Sequence, residues 1–266
     1  MANKTIKNKL QDVKCFLLDM DGTIYLEDHL LPGAMQFLSY LDSNGIAYVF
    51  LTNNSSKAAG QYVSKLAKMG IQIDPSSIIT SGEATATNLG IEHQNSSLFV
   101  VGTKALQDLF RSCGFRLVED EPDVVVLGFD TTLTYEKLWK SCNFIREGCL
   151  YIATHPDINC PTKEGFMPDI GSFIALIQAS TGREPDKIIG KPYEPMVEAI
   201  EERTGFSRRE MCMIGDRLYT DIMMGKYGMK TIMVLSGEAQ LDDVSAAEVK
   251  PDFILNNIGE VLSVIT

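Results

Sequence analysis

Short apolar runs alternate along the chain with segments whose apolar positions recur at helical spacing. Residues 15–20 form the first run. Ala34, Phe37, Leu38 and Leu41 then fall on one helical face, and Gly45 closes that segment as a C-cap. Residues 47–51 form the second run. Ser55 or Ser56 can cap a following helix that carries Tyr62, Val63, Leu66 and Met69 and ends at Gly70. The rhythm returns late in the chain. Ile188 and Ile189 make a short strand, Met196, Val197 and Ile200 mark a helix, and residues 211–214, 231–235 and 253–255 read as strands, the last two each followed by a short helix. Strand–helix alternation of this kind predicts an α/β fold, a doubly wound parallel sheet with ligands bound beyond the carboxyl ends of its strands.

The middle of the chain repeats the pattern with strands at 98–101, 124–127 and 151–153 and helices near 104–113 and 134–147. It either continues one long sheet or forms a second domain. Insertion is preferred, because the chemistry-bearing motifs lie only on the two flanks. The expected division is a core from residues 1–81 and 185–266 and a smaller α/β cap from 82–184. Hinges are expected at Ser81-Gly82 and at residues 181–185.

Of 266 residues, 45% are apolar, enough for a large core, and 22% are charged. Twenty-four basic against 35 acidic residues give a net charge of −11, which disfavours nucleic acid and anionic membrane surfaces. It also repels phosphorylated substrates unless a cation offsets it locally. Six cysteines, none in C-x-x-C spacing and mostly in apolar contexts, read as reduced thiols of a cytoplasmic protein. The first ten residues lack the apolar run of a signal peptide, and no run approaches the ~20 residues that span a bilayer.

Four segments carry chemistry, each directly after an apolar run. Asp19-Met20-Asp21-Gly22-Thr23 puts two carboxylates at i and i+2, on one side of an extended backbone, before a glycine suited to a tight turn. Asp19 can offer a carboxylate oxygen and Asp21 its main-chain carbonyl to a hard divalent cation, leaving the Asp21 side chain for proton transfer. Thr52-Asn53-Asn54-Ser55-Ser56 offers a hydroxyl and backbone N–H groups to a phosphate oxygen, although taken alone it is better explained as simple capping of the following helix. Gly190-Lys191-Pro192 places a lysine after a short strand. Gly215-Asp216-Arg217-Leu218-Tyr219-Thr220-Asp221 places Asp216 to join the metal, with Asp221 holding a water or Lys191 from behind. Singly, each has a plain structural reading as a turn or a helix start. Their fixed order sets them apart.

Together these motifs resemble the four motifs of the haloacid dehalogenase (HAD) superfamily, in its NagD-like, p-nitrophenyl phosphatase-like branch, over nearly the whole chain. The resemblance implies a HAD-like Rossmannoid core with an inserted α/β (C2-type) cap. It implies an Mg2+-dependent phosphatase of small phosphorylated metabolites, working through an aspartyl phosphate. Asp19 would be nucleophile and metal ligand. Asp21 would be acid, then base, and a ligand through its carbonyl. Thr52 and Asn53 would bind the phosphoryl group and Lys191 would orient Asp19 and offset charge. Asp216 would bind metal, with Asp221 in support. It also admits a homodimer through the cap. A phosphomutase, or a binding protein on the same scaffold, are the alternatives. A receiver-type signalling domain would be about half as long. In the cap, His155 stands where many relatives carry Asn, and Pro168-Asp169 where they carry Pro-Gly. His155 is a candidate contact to the leaving group, against a simpler reading as a hydrogen-bonded loop histidine. The loop from Pro168 to Gly171 is expected to face substrate.

Overall fold

The computed structural model describes residues 10–265 except residue 163, so residues 1–9 of the amino-terminal segment used above to argue against a signal peptide lie outside the described residues. Two compact units emerge. The first takes the chain up to Thr52, then Ala59–Ile79, then Ile200 onward. The second takes Asn53–Ala58 and Thr80–Ala199. This division gives the second unit more than the expected 82–184. It also gains the loop after Thr52 and the segment that carries Lys191.

Along the chain the strands are β1 (Cys15–Asp19), β2 (Tyr25–Leu26), β3 (His29–Leu30), β4 (Ala47–Thr52), β5 (Ile78–Thr80), β6 (Ser97–Val101), β7 (Arg116–Leu117), β8 (Val124–Leu127), β9 (Leu150–Ala153), β10 (Asn159–Thr162), β11 (Gly165–Pro168), β12 (Lys187–Ile188), β13 (Met211–Gly215), β14 (Lys230–Val234) and β15 (Phe253–Leu255). The helices are α1 (Ala34–Ser43), α2 (Ala59–Lys68), α3 (Ser81–Glu92), α4 (Lys104–Ser112), α5 (Tyr135–Arg146), α6 (Ile170–Thr181) and α7 (Glu194–Thr204), with short 3-10 turns and a final turn of helix between and after them.

In the first unit six strands form a sheet in the order β15-β14-β13-β1-β4-β5. Strand β1 runs parallel to β13 on one side and β4 on the other, with Leu18 opposite Ile214 and Phe50. The chain therefore winds outward in both directions from β1, so the carboxyl end of β1 is a topological switch point. The run Cys15-Phe16-Leu17-Leu18 is buried throughout, as a strand covered on both faces must be. Phe16 and Leu18 pack into a cluster with Phe37, Leu41, Phe50 and Ile214. Ala34, Phe37, Leu38 and Leu41 are the buried face of α1, as their spacing predicts. Helix α2 starts at Ala59, three residues after Ser56, so neither Ser55 nor Ser56 serves as its cap. The helix expected after β14 is a 3-10 turn, Leu241–Ala246, whereas β15 is followed by a 3-10 turn, Ile258–Val261, that runs into a short α-helix, Leu262–Ile265.

The second unit is built on five parallel strands in the order β12-β9-β8-β6-β7, with a small antiparallel hairpin of β10 and β11. Its core joins Phe99, Val101, Val125, Leu127, Tyr151 and Ile177. The short strand read at Ile188 belongs here rather than to the first sheet, because Lys187 and Ile188 pair with Ile152 and Ala153 of β9. Among the described residues no helix is long and apolar enough to cross a membrane. All six cysteines are free thiols. Cys15, Cys142 and Cys212 are buried, whereas Cys113 is exposed. Burial pushes the Cys15 thiol up to about 12, which leaves it protonated and inert.

The rings of Phe16 and Phe37 meet edge to face with centroids 5.6 Å apart, and Phe37 has no exposed surface. Phe37→Ala should lower unfolding free energy by about 3–5 kcal/mol, read by urea denaturation. A loss below 1 kcal/mol would mean that α1 is not locked to the sheet by this contact.

Candidate active site

The site begins where β1 stops. Asp19 is its last residue and half-buried. The chain then folds into a tight loop in which Ile24 N–H donates to the Met20 carbonyl at 2.9 Å and Gly22 N–H to the Tyr25 carbonyl at 2.8 Å. Gly22 has φ +81°, a conformation that glycine adopts without cost. Asp21 is exposed. Tyr25, wholly interior, has its phenol held well above its usual range by burial, with the Asp21 and Asp19 charges adding to the effect. The phenol stays neutral beside those two carboxylates.

Asp216 follows the end of β13 and is 3% exposed. Its Oδ2 accepts a hydrogen bond from Glu238 N–H at 2.7 Å. A side chain at Gly22 would put Cβ 2.5 Å from the same oxygen, and one at Gly237 would come nearer still. Two glycines thus make the cradle that holds this carboxylate. Ser236 closes the cradle, its hydroxyl donating to the Gly22 carbonyl at 2.7 Å. Asp221 is fully buried and accepts from Arg217 N–H at 3.1 Å. It fits only because Gly215 has no Cβ to collide with its carboxyl group.

These placements bring one carboxylate oxygen each from Asp19, Asp216 and Asp221 within 4.8 Å of one another. Like charges at that distance repel by about 3 kcal/mol per pair at an effective dielectric of 20. A hard divalent cation with oxygen ligands suits this donor set. Asp221 was expected behind the ligands, yet its carboxylate lies within the same group. Asp21, expected to contribute only its carbonyl, is not among the three carboxylates. Arg217 adds local positive charge. Its Nε lies 3.0 Å from Glu238, which also accepts from the Tyr219 hydroxyl at 2.8 Å. Burial opposes the guanidinium charge, but Tyr219, Asp19, Asp221 and Glu238 outweigh it and raise its pKa further. The loop Ser236-Gly237-Glu238 was not singled out from sequence, although it follows an apolar run as the other four motifs do.

Thr52 ends β4, with Leu51 opposite Asp19 in the sheet. The next residue, Asn53, belongs to the second unit, as does Lys191, and both are buried. The Asn53 amide bonds both main-chain groups of Lys191, Oδ1 accepting from its N–H at 2.8 Å and Nδ2 donating to its carbonyl at 3.0 Å. His155 has no exposed surface. Its Nε2 lies 3.0 Å from Asp169 Oδ1, and its Nδ1 lies 3.3 Å from both Ser81 Oγ and Thr154 Oγ1. That placement differs from the expected contact with a leaving group: both ring nitrogens are occupied by side chains of its own unit. Asp169 caps α6, accepting from Ile170 N–H at 2.7 Å. The candidate loop therefore splits. Pro168 is exposed, whereas Asp169 and Ile170 are interior.

The family model described as haloacid dehalogenase-like hydrolase matches residues 16–116, and a HAD-hydrolase-like model matches residues 188–261. The chain belongs to the HAD-like hydrolases. It lies in their NagD-like branch. The 4-nitrophenylphosphatase structure from Thermotoga maritima is 48% identical with a TM-score of 0.94, over 97% of this chain and 99% of that one. NagD from E. coli K-12 is 31% identical with a TM-score of 0.87, over 93% and 98% of the two chains. The acid sugar phosphatase of Staphylococcus aureus (strain MRSA252) is 36% identical over 258 residues, 96% of this chain and 98% of that protein. The two matched segments of this hydrolase contain all the motif residues, and the candidates His155 and the loop from Pro168 to Gly171 fall between them.

Removing the His155 ring leaves Asp169 and Ser81 short of a partner in the interior. His155→Ala should therefore cost about 2 kcal/mol of stability in chemical denaturation. Unchanged stability would refute a bracing role.

Proposed function

We propose that this hydrolase is a magnesium-dependent phosphatase of small phosphorylated metabolites, with Asp19 as the nucleophile. The carrying observation is the convergence of the Asp19, Asp216 and Asp221 carboxylates in a chain that matches proteins named as phosphatases over nearly its full length. Relatives named acid sugar phosphatase favour a sugar phosphate, with nucleotide monophosphates as the other class the motifs admit.

The bare cluster would repel a phosphate dianion. A bound magnesium ion would supply the positive charge that screens Asp19 from the phosphoryl oxygens. Asp19 and Asp216 would hold it, joined by the Asp21 carbonyl, with Asp221 in direct or outer contact. Asp19 then attacks phosphorus and the bond to the leaving oxygen breaks. Asp21, exposed at the loop, gives that oxygen a proton. It next takes a proton from the water that attacks the aspartyl phosphate, releasing inorganic phosphate and restoring Asp19. The Thr52 hydroxyl and the adjoining backbone N–H of Asn53 serve the transferring group, and Lys191, the lysine of the third motif, offsets its charge. His155 is proposed to act on substrate only indirectly, through the interior it braces.

Cytoplasmic residence belongs to the same reading and is supported by the six free thiols. A homodimer through the cap is supported by Tyr135, Trp139 and Phe166, which the second unit exposes. The net charge of −11 argues against nucleic acid as a partner.

Hydrolysis of 4-nitrophenyl phosphate should vanish with excess chelator and return with magnesium. Asp19→Asn should cut turnover about 1,000-fold or more while the circular dichroism spectrum is kept. Full activity in chelator would eliminate the metal, and an active Asp19→Asn would eliminate the nucleophile.

A further inference from the structure

We propose that the side chain of Asn53 is a positioning residue for Lys191 and not a ligand of the phosphoryl group. The inference deepens the phosphatase reading and rests on it for the role of Lys191.

A primary amide has two N–H donors. Nδ2 of Asn53 uses one on the Lys191 carbonyl at 3.0 Å and the other on Asp157 Oδ1 at 3.1 Å. The amide orientation is fixed by its partners. The Lys191 N–H can only donate, so the atom 2.8 Å from it must be the oxygen. Neither donor remains for a phosphate oxygen. Asn53 is also only 6% exposed. What it provides is a two-point hold on one residue of backbone, the arrangement that fixes the origin of a long lysine side chain.

The surroundings support that hold. Gly190 precedes Lys191, and a Cβ there would come within 2.7 Å of Asn53 Oδ1, His155 Cβ and the Thr154 carbonyl. Any larger residue would push the clasp open. The Asn53 carbonyl accepts from the Ser81 hydroxyl, which also faces His155. Asp157 is fixed in turn, because its carbonyl accepts from Gly171 N–H at 2.8 Å near the start of α6. A buried polar chain therefore runs from Asp169 through His155 and Ser81 to Asn53 and Lys191. Fixing a charged group before substrate arrives removes ordering cost from the reaction.

Two measurements test the clasp. The first is a double-mutant cycle on inorganic phosphate affinity, read by calorimetry with magnesium present, using Asn53→Ala, Lys191→Met and the pair. Asn53→Ala should weaken phosphate binding about tenfold alone and less than twofold in the Lys191→Met background, because the group it positions is gone. Equal losses in both backgrounds would make Asn53 an independent phosphate ligand and overturn the proposal, as would no loss in either. The second is amide hydrogen exchange at Lys191, which requires no activity. It should rise at least tenfold in Asn53→Ala, and unchanged protection would overturn the clasp. If Asn53→Ala does not fold, Asn53→Ser keeps a polar side chain and adds no charge. It is too short to hold both main-chain groups of Lys191, so it should weaken phosphate binding only where Lys191 is present. A wild-type enzyme without phosphatase turnover would sink the parent reading, and the exchange experiment would still decide the clasp.

Discussion

Asp19, Asp216 and Asp221 meet at a distance where ionised carboxylates repel, and the first unit is arranged around that conflict. Backbone donors answer part of it: Glu238 N–H to Asp216 and Arg217 N–H to Asp221. Sterics answer another part, since Gly22, Gly237 and Gly215 let the chain approach two of these carboxylates more closely than any side chain would permit. The guanidinium of Arg217 contributes charge. The donor set that these devices hold together suits a hard divalent cation with oxygen ligands.

The second unit handles its polar groups differently. The loop Asn53–Ala58 is tied to the carboxyl ends of that unit's own strands. Ser55 Oγ accepts from Phe129 N–H, just past β8, and from Thr154 Oγ1, just past β9. Thr103, just past β6, donates to the Ser56 carbonyl. A loop that sequence assigns to phosphate binding is thus fixed by that unit's own sheet. Strand ends gather polar groups in both units. The first collects carboxylates there, and the second collects hydroxyls, an amide and a lysine.

Much of this was legible in sequence, for identifiable reasons. Strands β1, β8 and β15 are short apolar runs bounded by polar residues, and α1 carries its buried face at regular spacing. The start of helix α3, Ser81-Gly82, reads as a hinge because the buried residues of its first turns are small: Ser81, Gly82, Ala84, Thr85 and Ala86 show no apolar stripe. The Thr80–Glu83 capping box was its readable signal. The loop expected through Gly171 overlaps the start of α6, where Gly171 lets the helix approach the Pro156 carbonyl. The sheet to which Ile188 belongs depends on partners more than 30 residues away, and no local pattern encodes it. His155 shows the same limit, since its neighbour Ser81 lies 74 residues earlier.

The central claim is that three separated carboxylates form one cation site next to the nucleophile. Diffraction from crystals grown with manganese in place of magnesium tests it most directly, because the ion's anomalous signal reports position without reference to activity. The account predicts one strong peak with oxygens of Asp19 and Asp216 about 2.1 Å away. A peak elsewhere, or none at saturating manganese, would contradict it.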